Sequence, residues 1–131
     1  MKLVGTLAMA IAALVAHQCS ANTWWVDDDW YGQGGDGTEA RPFGTIQAAL
    51  DNPSFVAGDT VNVKAGVYNR GATQNTYGGT ISNRVVITKK VHIKAVEGRE
   101  NTFIVGAASP GSGSNGLGSC ATRCILYCDL E

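Results

Sequence analysis

The chain has 131 residues, a formal net charge of −1 and 44% hydrophobic residues, which indicates one folded domain at most. The near-neutral charge, with no basic block or basic helix face, argues against a nucleic-acid-binding surface. Its 17 glycines against three prolines are typical of a chain with many tight turns and exclude a collagen-like or proline-rich protein.

Residues 1–21 have the pattern of a signal peptide. One basic residue, Lys2, precedes an apolar run over 3–16, and small residues lead up to Ala21. We therefore predict export, with cleavage after Ala21 and a mature chain that begins at Asn22. The apolar run is too short to span a bilayer, so no membrane insertion is expected after cleavage.

Two other interpretations of this N-terminal segment remain open. One is a buried helix of the folded domain. The other is lipidation at Cys19, although Gln18 stands where that processing needs a small residue.

The first predicted strand is the aromatic stretch 24–26. A polar, glycine-rich loop follows it and contains the pair Asp36-Gly37. This pair is a tight-turn signal, because glycine adopts positive φ at little cost and aspartate can hydrogen-bond its own backbone.

One short amphipathic helix is predicted over 46–52. Thr45 is in position to be its N-cap, and a proline ends it. Ile46, Ala49 and Leu50 form a single apolar stripe on this helix, so we expect that face to be buried.

The remaining predicted elements are short strands separated by turns. Because no helices stand between them, a sheet built from helical crossovers is excluded, which leaves a sandwich, a barrel or a parallel β-helix. Two similar stretches, VNVKAG and VHIKAV, begin 30 residues apart, a spacing that suits one turn of a coiled β-architecture. The predicted strands cover 61–65, 84–88, 91–95, 102–107 and 123–128, with loops over 69–83 and 109–119.

The order and spacing of these elements resemble the N-terminal segment of secreted, right-handed parallel β-helix proteins of the pectate-lyase-like superfamily. The pieces that carry the resemblance are WWVDDDWYGQGGDG, PFGTIQA, GDTVNVKAGVY and VHIKAVEG. The resemblance implies an all-β fold in which 22–57 form a strand, a loop and a capping α-helix. It implies that 58–131 form the first two or three coils of a right-handed parallel β-helix, truncated at the C-terminus.

The resemblance also implies a function class. The parent protein would be bacterial, secreted or on the cell surface, and would bind or process polysaccharide in the manner of a lyase. The alternative is a non-catalytic, adhesin-like β-helix that presents loops for binding. In the related enzymes the catalytic groups and calcium ligands generally lie on later coils, so we expect no catalytic residue in this chain and no turnover by it alone.

In such a fold the short helix has a physical role, because the first coil otherwise exposes an apolar surface. We expect Phe43, Ile46 and Leu50 to lie over the inward residues that begin at Val61 and Val63. The C-terminal coil has no matching cap in the sequence, so we also expect self-association through that end.

The densest acidic group is Asp27, Asp28, Asp29 and Asp36. Calcium prefers hard oxygen ligands, which makes these four the candidate calcium site, and no other cofactor is evident. Adjacent strand residues point to opposite faces, so a solvated turn is the favoured interpretation.

Cys120, Cys124 and Cys128 recur every four residues. Three thiolates offer a candidate zinc set, and one disulfide among them is a second alternative. Strand residues four apart are separated by about 13 Å, which is beyond disulfide reach without a turn. The favoured interpretation is packing inside the coil, above all for Cys124.

Two further sets are candidates for catalysis or for anion binding. A triad of His92 with Ser82 or Asp59 lacks a nucleophile elbow, so we favour a simply exposed His92. Lys64 and Lys94 are predicted to face outward and are candidates for contact with an acidic polysaccharide.

The last candidates are aromatic. Trp24, Trp25 and Trp30 have ring faces on which sugars can stack, and the alternative for each is burial in the core or beneath a loop.

Overall fold

The computed structural model describes residues 20–74, 81–109 and 120–128. These residues are mostly strand with little helix, so the chain has an all-β fold. Most of the predicted signal peptide and of the predicted loop 109–119 lies outside them. Within the described ranges, no helix is long and apolar enough to cross a membrane.

The described residues contain eight strands and one α-helix, with short 3-10 turns at Asp28–Trp30 and Arg99–Asn101. The elements in order are β1 (Thr23–Val26), α1 (Ile46–Leu50), β2 (Thr60–Val63), β3 (Gly66–Tyr68), β4 (Thr73–Gln74), β5 (Ser82–Ile87), β6 (His92–Ala95), β7 (Thr102–Ile104) and β8 (Thr122–Tyr127).

The strands form three sheets in which most pairs are parallel. In the first sheet β2 lies between β1 and β6, and in the second β3 pairs with β7. In the third sheet β5 is parallel to β8 and antiparallel to the short strand β4. From β5 onward, each strand belongs to a different sheet from the strand before it in the sequence.

The parallel strands are in register, so apolar side chains stack in columns from strand to strand. Val26 stands opposite Val63, and Val63 stands opposite Ala95 on the next strand. In the second sheet Tyr68 stands opposite Ile104. The core consists of the buried members of these columns together with three residues from the helix and the turn after it: Val26, Val61, Val63, Tyr68, Val85, Ile46, Ala49 and Phe55.

Helix α1 begins where the sequence predicts. The Thr45 hydroxyl accepts a hydrogen bond from the Ala48 N–H at 3.2 Å, which confirms Thr45 as the N-cap. Ile46 and Ala49 are buried in the core cluster that also contains Val61 and Val63, whereas Leu50 is only half-buried. The helix therefore covers the apolar columns, chiefly through Ile46.

The side chain of Gln47 joins this helix to the third sheet. Its carbonyl oxygen accepts a hydrogen bond from the Val86 N–H at 2.7 Å, and its amide donates to Asp51 at 2.8 Å. A backbone donor of β5 that faces the helix is thereby satisfied, which fixes the helix over the core.

A loop covers the outer edge of β1. The Trp25 N–H donates to Gly37 at 2.8 Å, the Phe43 N–H donates to Trp25 at 2.9 Å, and the Asp27 N–H donates to Phe43 at 2.9 Å. These bonds satisfy backbone groups that an open sheet edge would leave unpaired. The loop over 37–43 thus closes this end of the molecule together with the helix, a contribution that the sequence did not predict.

Several predicted boundaries differ from the structure: the helix ends at Leu50 rather than at 52, and β7 ends at Ile104 rather than at 107. The loop predicted over 69–83 contains β4 and the start of β5, because Thr73 pairs with Asn83 across a short antiparallel contact. The stretch after β2 forms the separate strand β3, because Gly66 adopts φ 155° and turns the chain into the second sheet.

Candidate functional site

The candidate site is a groove centred on Tyr31, which follows the first 3-10 turn. The side chain of Tyr31 is 44% exposed and lies between two recesses of about 290 and 240 Å³. Tyr31, Thr45 and Ala48 line both recesses, so the two lie side by side. We call this surface the Tyr31 groove.

The larger recess is lined by hydrogen-bonding side chains. Gln47 and Asp51 border it from the helix, and Thr73 borders it from β4. Arg84 borders it from β5 and is fixed by hydrogen bonds to the carbonyl oxygens of Val105, at 2.9 Å, and of Gly71. Amide, carboxylate, hydroxyl and guanidinium groups thus stand beside an exposed aromatic ring.

The smaller recess is flat and mostly apolar. Trp30 and Phe43 line it together with four glycines, at positions 32, 34, 35 and 44. At Gly44 a side chain has no room, because a Cβ there would collide with the backbone of Tyr31. This close approach of two backbone segments positions the Tyr31 ring between the recesses.

A cation contacts the Tyr31 ring. The guanidinium carbon of Arg70 lies 5.5 Å from the ring centroid, a cation–π distance. The contact restrains the ring. A ligand that stacks on Tyr31 therefore removes less conformational entropy from its side chain.

The candidate stacking residues Trp24, Trp25 and Trp30, for which burial is the alternative, are all half-buried. Trp24 stacks on Phe43 with 6.2 Å between the ring centroids, and its indole N–H donates to Asp59 at 2.9 Å. The exposed aromatic residue of this region is Tyr31, which the sequence analysis missed. Its signal was its place directly before the glycine run of the loop.

The four aspartates of the candidate calcium site make separate contacts. Asp27 pairs with Lys64 at 3.3 Å, and Asp28 accepts a hydrogen bond from the Val67 N–H at 3.1 Å. The carboxylate of Asp29 is exposed. In the part of the chain that the structure describes, no three His, Cys, Asp or Glu side chains are grouped to hold a metal ion.

The carboxylate of Asp36 accepts hydrogen bonds within its own turn. Hydrogen bonds from the hydroxyl and N–H of Thr38, together with the nearby Arg41 at 3.6 Å, hold the pKa of Asp36 below its usual value. This is the solvated, side-chain-bonded turn that the sequence favours.

The residues of the candidate triad, against which the sequence argues, are not assembled. His92 is exposed, and its contact with Asp59 is a backbone hydrogen bond of 3.0 Å between the His92 N–H and the Asp59 carbonyl oxygen. Ser82 lies on β5, in a different sheet. These positions agree with the interpretation of His92 as a simply exposed residue.

The two candidate lysines do not form a common cationic surface. Lys64 is engaged with Asp27, whereas Lys94 is exposed and stands opposite Asn62 in the ladder.

The prediction for Cys124 is wrong. Cys120 and Cys124 are exposed, Cys128 is half-buried, and all three thiols are free. Cys124 lies on β8, the outermost described strand of its sheet, where the neighbouring Ile125 is also 46% exposed.

Two buried polar groups support the fold beside the groove. The Asp59 carboxylate accepts hydrogen bonds from the N–H groups of Asn22 at 2.8 Å and Val56 at 3.0 Å, besides the Trp24 indole. Burial opposes ionisation of Asp59, but these hydrogen bonds outweigh it and hold its pKa below the usual value. The Tyr68 hydroxyl is shared between the carbonyl oxygens of Val26 and Lys64, and burial raises its pKa.

Comparisons of this chain with protein-family models, curated proteins and solved structures find no match.

Proposed function

We propose that the chain is the capped start of a right-handed parallel β-helix in an exported protein, and that it binds polysaccharide along the Tyr31 groove. The β-helix proposal is supported by three parallel pairings that recur in chain order: β2 with β6, β3 with β7, and β5 with β8. Each later strand adds one layer to a different sheet, as successive coils of a solenoid do.

The observation that carries the binding proposal is the half-exposed Tyr31 ring between two recesses. Sugar rings present an apolar face, which packs on an aromatic ring, and a rim of hydroxyl groups, which need donors and acceptors. The apolar recess beside Trp30 and the polar recess beside Gln47 supply these two kinds of surface on either side of Tyr31.

The groups around the groove are suited to binding, and we propose no bond-breaking step within it. Arg84 and Gln47 already hold backbone groups of the fold, so they offer a fixed set of polar atoms to a ligand. The chain then acts as an extracellular carbohydrate-binding scaffold, and any lyase-type chemistry belongs to other parts of a parent protein.

Replacing Tyr31 by alanine should weaken saccharide binding about tenfold, or by about 1.4 kcal/mol, since the variant loses the apolar area that the ring buries against a sugar face. The probes are neutral and uronate hexasaccharides, measured by calorimetry and by the fluorescence of Trp30, which lines the groove. The matched control is Phe103→Ala, which removes a 52% exposed aromatic ring from β7 and should leave the affinity unchanged.

Absence of saccharide binding by the unmodified chain would contradict the proposal. An equal loss of affinity in both variants would also contradict it, because the binding would then not depend on the groove.

A further inference from the structure

The buried carboxylate of Asp59 holds the backbone at the residue that follows the predicted cleavage site. The Asn22 N–H donates to Asp59 Oδ1 at 2.8 Å, and the Asn22 carbonyl accepts from the Thr60 N–H at 2.9 Å. Asn22 is therefore fixed through both of its backbone groups, although it is exposed like Ala21 before it. Strand β1 starts at Thr23, directly after the residue at which the sequence predicts the mature chain to begin.

No cation balances the charge of Asp59 among the described residues. Its side chain is 0% exposed, and its partners there are N–H groups of neutral residues. The ion pairs in this part of the chain are Arg41 with Asp36 and Lys64 with Asp27. A positive charge on one of these donors would strengthen its hydrogen bond to the carboxylate.

We propose that removal of the leader by a signal peptidase converts the contact between Asn22 and Asp59 into an ion pair that stabilises the folded chain. The inference rests on the export part of the proposed function. The cleavage consumes one water: the C–N bond between Ala21 and Asn22 breaks, the hydroxyl joins the Ala21 carbonyl carbon, and the remaining proton of the water joins the Asn22 nitrogen. The new carboxylic acid at Ala21 then releases a proton, and the new amine at Asn22 takes one up. The products are a carboxylate and an ammonium.

The new ammonium sits where the neutral N–H was. A free α-amino group has a pKa of about 8, and a neighbouring carboxylate favours its charged form. Hydrogen bonds between charged groups are stronger than those to a neutral donor. The processed chain therefore folds more stably than the chain that still carries its leader.

The first test identifies the N-terminus. The full chain is produced in an exporting bacterial host, and mass spectrometry of the recovered protein should show Asn22 as the first residue. Recovery of an uncleaved chain would overturn the export on which both proposals rest. Cleavage at another position would overturn this inference and leave saccharide binding by the groove to be judged by its own test.

The second test is a double-mutant cycle on the processed chain. Retention of Ala21 moves the ammonium by one residue, about 3.8 Å along the chain. This extension should raise the equilibrium constant of unfolding about tenfold when Asp59 is present, and should have no effect in an Asp59→Asn background. An equal effect in both backgrounds, or none in either, overturns the inference.

A third measurement needs no substitution. The pKa of the Asn22 α-amine, followed by pH-dependent amine labelling and peptide mass spectrometry, should lie above the ordinary value of about 8. An ordinary value overturns the inference even if the Asp59→Asn variant fails to fold.

Discussion

Replacing Asp59 by alanine should lower the free energy of unfolding by about 3 kcal/mol, the largest effect that we expect from a polar substitution in this fold. The variant leaves the N–H groups of Asn22, Trp24 and Val56 without their acceptor. The expected loss is smaller than that of three buried hydrogen bonds, because Asn22 is exposed and water can bond to its N–H group in the variant. Urea denaturation followed by tryptophan fluorescence measures the change.

The matched control is Asp29→Ala, which removes an exposed carboxylate from the neighbouring turn and should change stability by less than about 0.5 kcal/mol. Because the pKa of Asp59 is lowered by folding, its contribution is complete above the unfolded value of 3.8 and is lost as the pH falls through the folded pKa. Asp59→Asn should remove that part of the acid sensitivity. If the Asp59→Asn variant lost as much stability at acidic pH as the unmodified chain does, the role assigned to Asp59 would be contradicted.

Replacing Ile46 by alanine should lower the free energy of unfolding by about 2–4 kcal/mol. Ile46 is 2% exposed and packs in the core cluster with Val61 and Val63, so its truncation leaves a cavity beneath the helix. Thermal and chemical denaturation of the variant measure the loss. This residue is the main apolar contact between the helix and the columns of the first sheet.

The control for Ile46 is Val105→Ala, a truncation of an aliphatic side chain that is 41% exposed, and it should have little effect. Leu50→Asp should also be destabilising, but by less than a charge placed at Ile46, because Leu50 is only half-buried. An Ile46→Ala variant as stable as the Val105→Ala variant would show that the helix does not cover the core.

Local patterns in the sequence predict the elements that depend on local physics. The N-cap at Thr45 and the stripe through Ile46 and Ala49 were readable, because they follow from bonds and faces within one helical turn. Strands β2 and β6 were readable because apolar and polar residues alternate along them.

The remaining features depend on contacts between distant residues. The Trp24 indole meets Asp59 across 35 positions, and the Gln47 amide meets the backbone of Val86 across 39. Nothing in the local pattern at either partner specifies such a contact. The exposure of Tyr31 likewise follows from the approach of Gly44 to its backbone, so the groove could be found only in three dimensions.

The most direct test of this account is a set of side-chain and backbone NOEs around Val63 in isotopically labelled protein. We expect Val63 methyl protons to contact Val26 on one side and Ala95 on the other, and the Lys64 N–H to be protected by its 2.9 Å bond to the Val26 carbonyl oxygen. Contacts that join Val61 to Ala95 would show antiparallel pairing of β2 with β6 and would contradict the stacked parallel columns on which the account depends.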